Sequence, residues 1–518
     1  MGGRGMRPGN LTKPESKRDF SRRSFIWLAG AAFLAVSNES ALALFKKNKD
    51  GAATQNFSNT TPGKKKLKAT TETQIVENER EAAPMIYPGA DLTMLRAIAW
   101  YDRIVQSGGW PMLAPTDTLE EDSEGPEVAQ LKQRLAIEGY LAPSNEFDET
   151  FDKITEDAVR RFQRNHGLAP SGKIDNATVE AMNVPAEVRL ATLRSNLQRV
   201  EVYAKDLEDR YIIVNIPAAQ LETVSGRSVY SRHNIIAGKP DRPSPVVITK
   251  ISDLNFNPYW HAPASIVARD IIPDMLKNPK HLQKLNIKVF DGAGGPEIDP
   301  ATIDWTNTAP DRYLFRQEPG GENAMATVKI NFPSPFGVYM HDTPTKQLFA
   351  EGQRYFSSGC VRVDKVQILE DWILRGQDGW DMDRIQAMAE SGERLDYKVM
   401  DGPQVRWVYL TAWVTDDGGV HFRPDIYELD GSGFVLGQPL PVGQGSDGQR
   451  WTLQPAPFGY DEASTAAPPP IEPEETPSAI PVKKTNKRSN FNQPSASVTT
   501  MIDGVPGTPA FGQDDPSN

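Results

Sequence analysis

Two hydrophobic patterns divide the chain. Over residues 89–210, apolar side chains recur every three or four positions, the spacing of one helix face. Leu92, Leu95, Ile98 and Tyr101 make one such stripe, and Gly108-Gly109-Trp110-Pro111 ends it. Val128, Leu131 and Leu135 make a second stripe. Ile154, Ala158 and Phe162 make a third, stopped by Gly167-Leu168. A short helix begins at Thr178, and Val188, Leu190, Leu193, Leu197 and Val200 predict a longer one after it. From Tyr211 onward the chain shifts to short β-rich runs bounded by Gly and Pro, at 211–216, 228–236, 246–256 and 327–332. These predict a mostly antiparallel β-sandwich or barrel-like sheet. A helical pattern returns between Ile266 and Leu285, and a Gly/Pro/Asp-rich run follows to about Gly321. An insertion of this kind, about 262–322, suits a lid over a site. Val366 to Leu374 predicts one more helix, and Arg406–Val414 and Val420–Ile426 predict further strands. The fold class that results is α+β and multidomain: helical segments first, then a mostly antiparallel β domain with a helical lid insertion.

The two ends lie outside this pattern. Residues 1–43 carry Lys17, Arg18, Arg22 and Arg23, then an apolar run from Phe25 to Val36 that is short for a membrane span. Ala41-Leu42-Ala43 fits a small-x-small cleavage site, and Ser21-Arg22-Arg23-Ser24-Phe25-Ile26 resembles a twin-arginine export signal. A periplasmic location follows as an expectation, with an uncleaved N-terminal membrane anchor as the alternative. Residues 44–88 are polar, with seven lysines between Lys46 and Lys68, and read as a flexible tether able to touch anionic lipid headgroups. From Pro455 onward lie 12 of the 42 prolines, so 456–518 reads as a disordered tail. The net charge of −11 argues against nucleic acid as a partner. The single cysteine rules out an intramolecular disulfide and a multi-thiolate zinc site. The six histidines are scattered, so no metal or other cofactor is expected.

Chemistry concentrates in Val338 to Val363. A thiol needs a base to become a nucleophile, and imidazole is the usual one near neutral pH. The stretch holds Cys360 and His341, the latter on a short apolar strand where period two puts Tyr339 on the same face. The turn Ser357-Ser358-Gly359-Cys360 can present backbone N–H groups as an oxyanion hole. Arg362 is close enough to fork onto an anionic substrate group. Set against this, a lone cysteine is more often a buried apolar residue, and Asp342 beside Thr343 and Pro344 also suits plain turn chemistry.

A strand-borne His followed 19 residues later by Cys in S-x-G-C-V-R resembles the L,D-transpeptidase catalytic domains of YkuD type. Phe332-Pro333, Val338-Tyr339-Met340-His341-Asp342-Thr343-Pro344, Leu348-Phe349 and Asn257-Pro258-Tyr259-Trp260 resemble its multidomain YcbB-like branch. Many members carry His-Gly-Cys, where this chain has Ser358 before Gly359. Ala158-Val159-Arg160-Arg161-Phe162-Gln163, with His166-Gly167-Leu168 and Gly172, resembles a peptidoglycan-binding module. His166 there reads as a helix C-terminal residue, favourable as a cation.

The resemblance divides the chain into an export signal (1–43), a tether (44–88), a helical scaffold (89–124), a small three-helix peptidoglycan-binding module (125–183) and a connecting helix (184–210). The catalytic domain (211–400), completing strands (401–455) and the tail (456–518) follow. It implies a Cys360 thioester formed on a tetrapeptide stem with loss of D-alanine, then attack by a neighbouring stem amine to give a 3–3 crosslink. His341 would be the base, oriented by the Asp342 backbone carbonyl. Gly359 would shape the oxyanion turn, and Arg362, Tyr339, Ser358 and Trp260 would meet substrate. Peptidoglycan is the implied partner, and carbapenems the implied inactivators. A carboxypeptidase, a lipoprotein-anchoring enzyme and a non-catalytic wall-binding scaffold remain the alternatives.

Overall fold

The computed structural model describes residues 71–76, 83–114 and 118–434, and the backbone of two short strands at Gly443–Gln444 and Arg450–Trp451. The export segment, the tether ahead of residue 71 and the proline-rich tail lie outside the described residues. Among the described residues, no helix is long and apolar enough to cross a membrane. The tether ends earlier than residue 88. Gln74–Ile75 (β1) pairs antiparallel with a central strand, and Met85, Ile86 and Tyr87 are buried. Those three apolar side chains anchor the segment, and the Met85 N–H donates to the Glu222 carboxylate at 2.8 Å.

Two long helices, Ala90–Gln106 (α1) and Ala186–Tyr203 (α5), pack against each other and against the β domain. The buried face of α1 is Ala90, Met94, Ala97, Tyr101 and Ile104. Leu92 and Leu95, expected on the apolar stripe, are 58% and 45% exposed. Helix α1 carries apolar residues on more than one side, and its packing partners decide which side is covered. Between the two helices lies the small module, Pro126–Ile137 (α2), Lys153–Asn165 (α3) and Asn176–Met182 (α4). Asp152 and Asp175 cap α3 and α4, each accepting from a backbone N–H three residues on at 2.8 Å. Val128, Leu131, Leu135, Phe151, Ala158, Val159 and Phe162 form its core. Ile154, expected in that core, is 68% exposed on the first turn of α3.

The β domain is built on a curled twelve-stranded sheet. Its strands are β1, Arg210–Asn215 (β2), Gln220–Ser225 (β3), Ser228–Gly238 (β4), Val247–Lys250 (β5) and Asp253–Phe256 (β6), followed after the insertion by Val328–Asn331 (β7), Met340–His341 (β8), Tyr355–Ser357 (β9), Val361–Val363 (β10), Leu395–Lys398 (β11) and Gln404–Val408 (β12). Along the main path the order is β11-β6-β7-β8-β10-β4-β3-β2-β12-β5. Most neighbours are antiparallel, but β8 and β10, β2 and β12, and β4 and β9 run parallel. Val366–Leu374 (α6) and Met382–Ser391 (α7) complete the domain, and α6 buries Leu369, Trp372 and Ile373.

The insertion has a core of its own, Val267, Ile271, Met275, Leu282, Ile287, Val289, Ile303 and Phe315. Its helical run at 264–277 is π-helical over Val267–Ile271. The Gly/Pro/Asp-rich stretch after it adds strands to a four-stranded sheet, Trp260–His261, Leu314–Gln317, Ile287–Phe290 and Glu297–Ile298 in spatial order.

The hairpin Ala412–Val414 and Val420–Phe422 joins the β domain to the small module. Phe422 packs on Tyr101 and His166, with ring centroids 5.9 and 5.5 Å away, and the Arg189 guanidinium lies 4.5 Å from its ring. Arg423 donates to the Asn165 carbonyl at 2.9 Å. His166 does stand at the C-terminus of α3, but it is not a cation. It is buried between Phe162 and Phe422, and burial together with nearby Arg189 pushes its pKa well below the usual imidazole range.

Candidate active site

Strand register brings the chemistry together. Parallel pairing sets Met340 opposite Val361 and His341 opposite Arg362, and one step back the Val361 N–H donates to the Tyr339 carbonyl at 3.1 Å. Paired residues project to the same side of a sheet, and alternate residues share a face. Tyr339, His341, Cys360 and Arg362 therefore occupy one face, with Cys360 and His341 as diagonal neighbours. Antiparallel pairing of β7 with β8 adds Lys329 to that face, opposite His341.

His341 is buried, and its Nδ1 lies 2.5 Å from the Asp342 carbonyl oxygen. A carbonyl only accepts, so Nδ1 carries the proton and Nε2 is left as the basic nitrogen. Burial first, then the charges of Arg362 and Lys329, push its pKa down to about 3, against the pull of the Asp342 carbonyl. The ring is neutral at working pH. Burial also raises the Cys360 pKa, and the Tyr339 backbone N–H, Lys329, the Tyr339 side chain and Arg362 oppose that rise. The resting pair is thus a thiol and a neutral imidazole on one sheet face.

Short bonds hold the turn that carries Cys360. Ser357 Oγ donates to the Cys360 carbonyl at 2.5 Å, and the Gly359 N–H donates to Ser357 Oγ at 3.2 Å. Ser244 Oγ donates to the Gly359 carbonyl at 2.8 Å. Gly359 has φ +119°, a conformation that side chains disfavour. The Cys360 N–H has no acceptor among the described residues, which leaves it free to meet an oxyanion. Ser358 Oγ accepts from Arg242 Nη1 at 3.0 Å, and Arg242 forks onto Asp270 of the insertion at 2.6 and 2.9 Å. One guanidinium so ties the turn that carries Cys360 to the insertion.

The other sequence-predicted residues are spread more widely. Arg362 bonds Thr345 Oγ1 at 3.2 Å, and its buried Nε has no partner among the described residues. The Asp342 side chain turns away from His341 to Lys346 and to the Thr327 hydroxyl. Trp260 lies on the insertion sheet, packed on the insertion core. Lys329 and Arg242 were not singled out from sequence. One lysine in a β pattern reads as solvent-facing, and only the strand register shows what Lys329 faces. Among the described residues, no cluster of His, Cys, Asp or Glu is arranged to hold a metal ion.

A thiol, an imidazole and a free backbone N–H beside two cations are the parts of a site able to run acyl transfer through a thioester. The sequence matches to known families agree with that class. Residues 209–384 match the L,D-transpeptidase catalytic domain family, YkuD, and residues 124–182 match the family described as "Putative peptidoglycan binding domain". The chain carries both domains. A Haemophilus influenzae (strain ATCC 51907 / DSM 11121 / KW20 / Rd) protein named "Putative L,D-transpeptidase" is 32% identical over 239 residues, which are 46% of this chain and 48% of that protein. The chain thus spans about half the length of that relative. Among solved structures, the L,D-transpeptidase (residues 123–326) of Xylanimonas cellulosilytica DSM 15894 is similar at 14% identity, covering 57% of this chain and 98% of that one, with a TM-score of 0.18. That of Stackebrandtia nassauensis is 13% identical over 57% of this chain and 96% of that one, with a TM-score of 0.22.

Proposed function

We propose that the chain is a periplasmic L,D-transpeptidase that forms 3–3 crosslinks between peptidoglycan stems through a thioester on Cys360. The observation that carries this reading is the shared sheet face of Cys360 and His341 inside a YkuD-type domain that follows a peptidoglycan-binding one. Cys360 Sγ attacks the carbonyl of the penultimate stem residue while His341 Nε2 takes the thiol proton. The Cys360 N–H meets the oxyanion. Collapse passes the proton from His341 to the leaving amine, and D-alanine departs. A stem amine then attacks the thioester, gives its proton to His341, and restores the thiol.

Neutral His341 fits this order, because it arrives without a proton and is a poor place to keep one. The test uses the purified chain with disaccharide-tetrapeptide, products read by mass. A crosslinked dimer is expected, and Cys360→Ala should abolish it. Tripeptide alone would assign a carboxypeptidase instead. No covalent carbapenem adduct on Cys360 would leave a wall-binding scaffold.

A further inference from the structure

We propose that Lys329 is a positioning residue for this reaction, its ammonium group supplying the positive charge against which the Cys360 sulfur ionises. The inference rests on the acyl-transfer reading and deepens it. Three strands in register set Lys329, His341 and Arg362 side by side on one face, with His341 in the middle. Lys329 Nζ lies 4.5 Å from the Tyr339 ring centroid, a cation–π seat that fixes its position. Tyr339 in turn faces the sulfur through its backbone N–H and its side chain. Lys329 and Cys360 thus meet around one tyrosine.

A cation removed from water needs a counter-charge. Asp253 on β6 and Asp396 on β11 face Lys329 only at longer range, and no carboxylate lies within ion-pair distance among the described residues. Its other charged or titratable neighbours are Tyr339, His341, Arg362 and Cys360 on this face and His261 of the insertion. Of these, the sulfur and the Tyr339 phenol can become anions, and a thiol is ordinarily the more acidic of the two. Burial lowers the Lys329 pKa, and Cys360 is the first of the groups that raise it again. The same positive charge works against a proton on His341. Its two effects act in concert. It eases the proton off the sulfur, and it discourages the imidazolium from keeping that proton when a leaving amine needs it.

Cys360 is the only thiol in the chain, so alkylation by neutral iodoacetamide, followed by intact mass across a pH series, reads its ionisation without any wall substrate. Lys329→Met should raise the midpoint by about one pH unit, the effect expected of losing a nearby opposite charge. Alkylation below the midpoint should slow severalfold, while the high-pH plateau rises because a more basic thiolate is the better nucleophile. Lys329→Arg, which keeps the charge, should restore the midpoint. A folded Lys329→Met with an unchanged midpoint overturns the proposal, as does a folded Lys329→Arg that behaves like Lys329→Met. If Lys329→Met fails to fold, Lys329→Gln is read by the same criteria. Failure of the wild-type chain to crosslink stems would instead refute the transpeptidase reading and leave the alkylation result standing.

Discussion

Arg242 is the joint between chemistry and cover. It forks onto Asp270 of the insertion at 2.6 and 2.9 Å and donates to Ser358 Oγ on the Cys360 turn at 3.0 Å. Arg242→Met keeps much of the side-chain length and removes all three bonds. Hydrogen bonds to charged groups are worth about 1.5–3 kcal/mol when sheltered, and exposed ion pairs about 0.2–1 kcal/mol. The arginine side chain is 14% exposed and the aspartate 40%, so this pair sits between those limits. A loss of about 2 kcal/mol in the docking of the insertion is reasonable, which multiplies its undocked population by roughly 30. Hydrogen exchange should quicken across 260–317 by a similar factor while β2–β4 stay protected. Acylation of Cys360 should fall as well, because Ser358 loses its partner. Unchanged exchange in the insertion, in a variant known to be folded, would refute the idea that Arg242 holds it.

Two further outcomes follow from burial. Phe422→Ala removes the ring that packs on Tyr101, His166 and Arg189. It should cost about 3–5 kcal/mol and separate the unfolding of the small module from that of the β domain in a denaturant titration; a single transition at the wild-type midpoint would argue against it. The second concerns acid. Burial holds His341 at about 3 and His233 at about 4, and pushes His166 and His421 well down, whereas unfolded histidine titrates near 6.5. Lowered folded values mean that the unfolded chain takes protons first as pH falls, so this stability is full above about pH 6.5 and drains away below it. For His233, a drop from 6.5 to about 4 at 1.36 kcal/mol per pH unit is about 3 kcal/mol. Buried Glu370, raised to about 8, acts oppositely, losing stability as pH rises from 4.5, but four histidines outweigh it. Tm should fall steadily from pH 6.5 to 4.5, and a flat Tm would contradict this account.

The sequence was most legible where a local pattern has one physical solution. Val366–Leu374 is a helix with the expected bounds, because its apolar residues need a single buried side. The α+β class was legible for the same reason, since helical stripes and β-rich runs seldom overlap. The strand that carries His341 was visible from its apolar pattern, although only Met340–His341 of the expected 338–341 run is paired as strand. Partners were not. Leu92 and Leu95 are exposed because α5 and the β domain cover the opposite side of α1. His166 was read as a cation because nothing local announces that Phe422, over 250 residues later, will bury it. The insertion sheet was hidden because its strands are two to four residues long in a Gly/Pro/Asp-rich run. Lys329 required the register of three strands, which no single segment encodes.

That register has a further consequence. The strand bearing His341 is two residues long, so its own ladder does little to fix its alignment. A slip of one position against its neighbours would send the imidazole to the opposite side of the sheet from the thiol. Half-assembled chains would carry every reacting group and still be inert. The face that sets thiol against imidazole therefore belongs to the closed sheet and to no single strand within it.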